Sequence, residues 1–128
     1  MSMNTLKLIL VTFIYLGSSV AYATDMASYY RLNIEMMKQL ETGYIEQLEC
    51  LTHACPEQEL VKLKTSTEKK IQVLYAQSST TASKELGFYT KHQVEAKKYY
   101  ENNSTLQNTY KVLMESINGL RTKINEKL

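Results

Sequence analysis

Tryptophan is absent from this chain, proline occurs once and cysteine twice. Glycine is scarce as well. Beyond the first two dozen residues only Gly43, Gly87 and Gly119 remain, far apart, so no glycine-rich loop can cradle a phosphate. The two histidines, His53 and His92, fall short of a histidine-rich metal or catalytic cluster. No apolar run reaches the roughly 20 residues that a membrane span needs. Net charge is also small, formally +2. It offers no strong electrostatic attraction to nucleic acid, which is not expected as a partner. No strand pattern of weight and no internal repeat stands out.

What is present begins with a leader. Lys7 supplies a positive flank, and Leu8 to Leu16 is apolar apart from Thr12. Gly17-Ser18-Ser19 follows, and Ala21-Tyr22-Ala23 satisfies the small-x-small cleavage rule. The expectation is a signal peptide over residues 1–23, cleaved after Ala23, and one domain over residues 24–128. An uncleaved N-terminal anchor is the competing reading. The leader is of bacterial type, which makes the periplasm the first expected compartment and release outside the cell the second. Cleavage removes Lys7, so the charge of the remaining chain falls by one.

Export sets the chemistry of Cys50-Leu51-Thr52-His53-Ala54-Cys55-Pro56. Five residues along an unbroken helix would separate the two Cα atoms by about 8–9 Å. A disulfide tolerates roughly 4.4–6.8 Å, so a Cys50–Cys55 bond requires the helix to end inside the segment. Pro56 independently marks a restart, because it lacks an N–H yet suits a first helical turn. Glu57 and Glu59 then complement the new helix dipole. A metal reading competes: Cys50, His53 and Cys55 with His92 make four zinc-type ligands, at a spacing that matches no standard zinc module. An oxidising compartment favours the disulfide. No metal and no cofactor is expected.

The rest reads as helix. Met26, Tyr30, Ile34, Met37, Leu40, Tyr44, Leu48 and Leu51 recur at steps of three or four, predicting a first helix over about 25–51. A second runs from Pro56 to about Gln77, with Thr65-Ser66-Thr67 as its polar middle. Ser78 to Ser83 is rich in hydroxyls and predicts a break; one continuous helix is the alternative. A third segment covers about 84–101. Asn102-Asn103-Ser104 stops it and caps the next helix; Asn102-Asn103-Ser104-Thr105 holds two overlapping glycosylation sequons, relevant only in a eukaryotic secreted protein. In the last helix Leu106, Tyr110, Leu113, Ile117, Leu120, Ile124 and Lys127 step by four and three, a heptad seam. The expected fold is therefore all-α, a small antiparallel bundle of three or four helices with a disulfide-braced turn. The seam also offers self-association through the C-terminal helix.

Tyrosine dominates the aromatics, with ten against two phenylalanines. Tyr29-Tyr30 and Tyr99-Tyr100 are adjacent pairs beside Arg31 and Lys97-Lys98. Neighbours on a helix point about 100° apart. One member of each pair can face the core and the other a partner, so these four are the candidate protein-binding residues. The stretch from Leu106 to Leu113 resembles the Leu-Asn-x-x-Tyr-x-x-Leu box of LprI-type lysozyme-inhibitor domains, with Gln107 in place of the asparagine. The match spans eight residues, and no function is transferred from it.

No nucleophile–base pair and no recognisable carboxylate pair is present, so the chain is not expected to be an enzyme. The leading expectation is an exported helical protein that acts by binding another protein, as an inhibitor or immunity protein against an envelope-acting enzyme does. The alternative is a structural or accessory subunit of an envelope secretion or conjugation machine.

Overall fold

The computed structural model describes residues 25–128; the leader and its cleavage after Ala23 lie outside the described residues. Five helices follow one another: α1 Met26–Thr52, α2 Glu57–Gln77, α3 Ala82–Lys91, α4 Gln93–Glu101 and α5 Ser104–Lys127. No strand occurs among the described residues.

Local chemistry sets the helix starts. The Asp25 carboxylate accepts a 2.7 Å hydrogen bond from the Ser28 N–H, and the Asn103 side-chain oxygen accepts one of 3.0 Å from the Leu106 N–H. Thr81 caps α3 in the same way through the Lys84 N–H. Each satisfies a first-turn N–H that has no partner within its own helix. Pro56 precedes α2 without a side-chain cap, with Glu57 and Glu59 in the first turn.

The corner at the end of α1 is a Schellman turn. The Cys55 N–H donates to the Cys50 carbonyl at 3.0 Å and the Ala54 N–H to that of Leu51 at 3.2 Å. This is the paired six-to-one and five-to-two pattern of that motif. Ala54 takes the left-handed conformation it demands, at φ 52°. Such turns frequently bring an apolar contact between the two residues joined by the six-to-one hydrogen bond. Here those two residues are Cys55 and Cys50, and the contact is covalent: they form a disulfide with their Cα atoms 5.1 Å apart. The end of α2 repeats the motif without a bond. The Thr80 N–H reaches the Tyr75 carbonyl, the Ser79 N–H reaches that of Ala76, and Ser79 sits at φ 56°. The break expected after Gln77 is this turn.

The helix α1 is the hub, packing along both α2 and α5, while α4 bridges α1 and α5. Its core contact joins Ile34 and Met37 to Leu113 and Ile117, with Leu40, Tyr44, Leu106 and Tyr110 packed around them. The heptad seam of α5 supplies this face: Leu113, Ile117 and Ile124 are buried, whereas its last position, Lys127, is exposed. Where α1 and α2 pack, buried Gly43 meets Thr67, itself buried with its hydroxyl donating to the Leu63 carbonyl at 3.1 Å. A Cβ built on Gly43 would lie 2.7 Å from Thr67 Cγ2, so the absence of a side chain at residue 43 is what lets the helices approach. The polar middle of α2 is thus partly a packing surface.

Two features depart from the expected bundle. The segment 84–101 is two helices, meeting at His92, whose backbone leaves helical geometry at φ −123°, ψ 34°. The bend lets α3 bring Phe88 and Tyr89 against Tyr29 while α4 brings the Ala96 carbonyl to Tyr30. The bundle is also not wholly antiparallel. Tyr110 meets Tyr30 and, farther along both helices, Leu113 and Ile117 meet Ile34 and Met37, so α5 runs in the same direction as α1. The physical reason is that α3 and α4 are short and stay at the end of α1 where α2 finishes. They make no full pass back down the bundle.

Candidate functional site

The four tyrosines named from sequence come together at the N-terminal end of α1. Tyr30 stacks on Tyr99 with ring centroids 5.4 Å apart and planes 11° from parallel. It also meets Tyr100 at 6.3 Å and Tyr110, edge to face, at 6.0 Å. Tyr29 packs edge to face on Tyr30 at 5.2 Å and turns its other side to Phe88 and Tyr89. Tyr100 closes the set on Tyr110 at 5.8 Å. These are favourable offset and T-shaped separations for aromatic rings.

Most of this cluster is a clamp between helices. Tyr30 is buried and its hydroxyl donates 2.8 Å to the Ala96 carbonyl, linking residues 66 apart in the chain. Gln107 does the same for α5, its side-chain amide donating 2.7 Å to the Tyr100 carbonyl at the end of α4. Tyr29, Tyr99 and Tyr100 are half-buried. Burial, and after it the neighbouring phenols Tyr89 and Tyr100, raises the Tyr30 hydroxyl above the ordinary value. Burial likewise raises Tyr29, with Tyr30 and Tyr89 adding to it. Tyr110, shielded further and next to Tyr29, Tyr30 and Tyr100, is raised the most.

The exposed part of this end lies on α3 and α4. Leu86 is 66% exposed, Tyr89 39% and Val94 74%. A shallow hollow of about 850 Å³ beside them is lined by Leu86, Phe88, Lys91 and His92 among others. His92 packs on Phe88 at 4.5 Å and places Nδ1 3.6 Å from the Glu95 carboxylate. Sequence reasoning missed Phe88-Tyr89, although it is a third adjacent aromatic pair of the same kind as the other two.

Beneath α3 a smaller cavity of about 160 Å³ is lined by Tyr29, Asn33, Tyr75 and Glu85. Glu85 is buried and accepts a 2.8 Å hydrogen bond from the Thr80 hydroxyl. Burial first, and the Glu85 charge second, raises the Tyr75 phenol. Along α2 lies an open groove of about 720 Å³, lined by Val61, Val73, Lys62, Lys69 and Lys70 among others and bordered on the α1 side by Gln39.

Among the described residues, no group of three or more histidine, cysteine, aspartate or glutamate side chains is placed to hold a metal ion. His53 is exposed in the turn whose two cysteines are bonded to each other. Among the described residues, no helix is long and apolar enough to cross a membrane. No protein-family model matches the chain, and no curated protein and no solved structure matches it either.

Proposed function

We propose that this chain is an exported, non-catalytic binding module that acts by covering part of another protein's surface, in the manner of an inhibitor or immunity protein of an envelope-acting enzyme. The periplasm is its compartment after cleavage near Ala23. The observation that carries this reading is the exposure of three large apolar side chains, Leu86, Tyr89 and Val94, on the neighbouring helices α3 and α4, with Tyr89 stacked on Tyr29 of the aromatic cluster. Exposed apolar surface rimmed by polar residues marks interaction sites. Aromatic residues with a polar tip suit the centre of an interface. The stack on Tyr29 holds the Tyr89 ring in place, so little ordering entropy is lost there on binding. The Cys50–Cys55 bond supports the compartment, since such bonds persist where the surroundings oxidise.

The test is crosslinking in the source organism, with the chain carrying its own N-terminus, followed by mass spectrometry of the crosslinked species. A single heterologous partner in the periplasmic fraction is expected. Leu86→Glu with Val94→Glu should abolish that crosslink and leave thermal unfolding unchanged, because both side chains point to solvent. Recovery without any heterologous partner, or a crosslink indifferent to the two substitutions, defeats the reading.

A further inference from the structure

We propose that the α1–α2 hairpin is a self-recognition surface: the chain pairs with a second copy of itself, the acidic strip of each α1 lying along the basic groove of the other's α2. This does not depend on the function proposed above.

The inference starts from how charge is distributed. Between residues 39 and 61 there are five glutamates and neither lysine nor arginine; between 62 and 70 there are four lysines and one glutamate. On α1, Thr42, Ile45, Glu46 and Glu49 fall at steps of three, one and three, the spacing of a single helix face. That strip is exposed but for half-buried Glu46, and Ile45 at its centre is 49% exposed. It is an apolar stud flanked by carboxylates. On α2 the groove has the opposite character. Lys62, Lys69 and Lys70 line it with no acidic residue, and Val61 and Val73 are 53% and 51% exposed within it. Among the described residues, neither these three lysines nor Glu46 and Glu49 belong to an ion pair within the chain.

Fit in height comes from the contact of Gly43 with Thr67, which sets the acidic stretch of α1 level with the basic stretch of α2 in one molecule. Residues 41–49 and 62–70 each advance about 12 Å along a helix. At this level the hairpin is a lateral dipole, with Glu41, Glu46 and Glu49 on α1 and Lys62, Lys64, Lys69 and Lys70 against the single Glu68 on α2. A twofold axis parallel to the rods places each α1 opposite the partner's α2, antiparallel to it and at the same height. Both charge strips are then satisfied twice, as an isologous contact requires. The other occupant within the chain is excluded by charge: residues 1–24 carry Lys7 alone and bring no acid to the groove.

The experiment is sedimentation velocity on the full chain, expressed with its own N-terminus and with the Cys50–Cys55 bond formed. At low salt and about 100 µM, a dimer is expected, weakening about tenfold as ionic strength rises past the point where the Debye length falls to a few ångströms. One variant reverses the groove (Lys62→Glu, Lys69→Glu, Lys70→Glu) and another reverses the strip (Glu46→Lys, Glu49→Lys). Each alone should be a monomer with wild-type circular dichroism. Mixed one to one they should pair, because the acidic groove then meets the basic strip and each retains one native surface. Val61→Asp, a single exposed change, gives a second route should the triple variant fold poorly, and it too should be monomeric. A wild-type chain that stays monomeric throughout overturns the proposal. So does a dimer that ignores the reversals, or a mixture that fails to pair.

Discussion

Replacing Gly43 by alanine should destabilise the protein, against the ordinary helix preference, and a second substitution should reverse the sign. Alanine in a helix interior is better than glycine by about 1 kcal/mol. Opposing it, the new methyl would sit 2.7 Å from Thr67 Cγ2 and 3.0 Å from its Cβ, well inside ordinary carbon contact. Thr67 cannot swing aside freely. It is β-branched, buried, and its hydroxyl is bonded to the Leu63 carbonyl. The helices must part, and overpacking of this kind costs about 2–3 kcal/mol. The net loss is therefore about 1–2 kcal/mol, or roughly 5–10 °C in melting temperature for a domain of this size. Thr67→Ala removes both crowding atoms beyond Cβ. In that background Gly43→Ala should be neutral or stabilising, giving a coupling energy of about 2 kcal/mol in a double-mutant cycle. Urea denaturation of the four proteins measures it. Additive effects, or a stabilised Gly43→Ala single mutant, would refute the claim that this glycine exists to admit Thr67.

Three further outcomes are expected. Ala54→Gly and Ser79→Gly should each stabilise by about 0.5–1 kcal/mol, since a left-handed L-residue costs about 1–2 and glycine's extra unfolded-state freedom returns part of that; equilibrium unfolding should find the two effects additive. Tyr30→Phe should cost about 1–2 kcal/mol by leaving the Ala96 carbonyl without its buried donor, and amide exchange in α4 should quicken; an unchanged urea midpoint would mean that the ring alone matters. Stability should hold up to about pH 10 and fall above it. The phenols of Tyr29, Tyr30, Tyr75 and Tyr110 are raised by burial, so the unfolded chain loses these protons first and binds fewer than the folded one; that makes stability decline with rising pH. Thermal melts between pH 8 and 11 check it, and a flat profile would sink it.

Much of the architecture was legible in the amino-acid order because its causes are local. Asn103 marks a helix start by a side-chain cap that reaches only three residues ahead, and Pro56 marks another by its missing N–H and fixed backbone angle. The apolar periods of α1 and α5 declare the face on which these two helices meet, though not the second buried face of α1 at Leu32, Gly43 and Gln47, and the cysteine spacing with Pro56 requires a broken helix at the corner. The bend at His92, the shared direction of α1 and α5, and the Gly43–Thr67 approach were not legible. Each depends on partners far apart in the chain, such as the hydroxyl of Tyr30 and the carbonyl of Ala96. Even the left-handed turns at Ala54 and Ser79 escaped notice, because neither position holds the glycine that normally announces them. The sequence by itself determined most helix starts and stops, the stop at His92 excepted, and which stripe of α1 and α5 is apolar, for these follow from neighbours within a turn or two. Only the tertiary structure decided which stripe meets which, because that is settled by the joint packing of α1 with α2, α4 and α5 and by no segment alone.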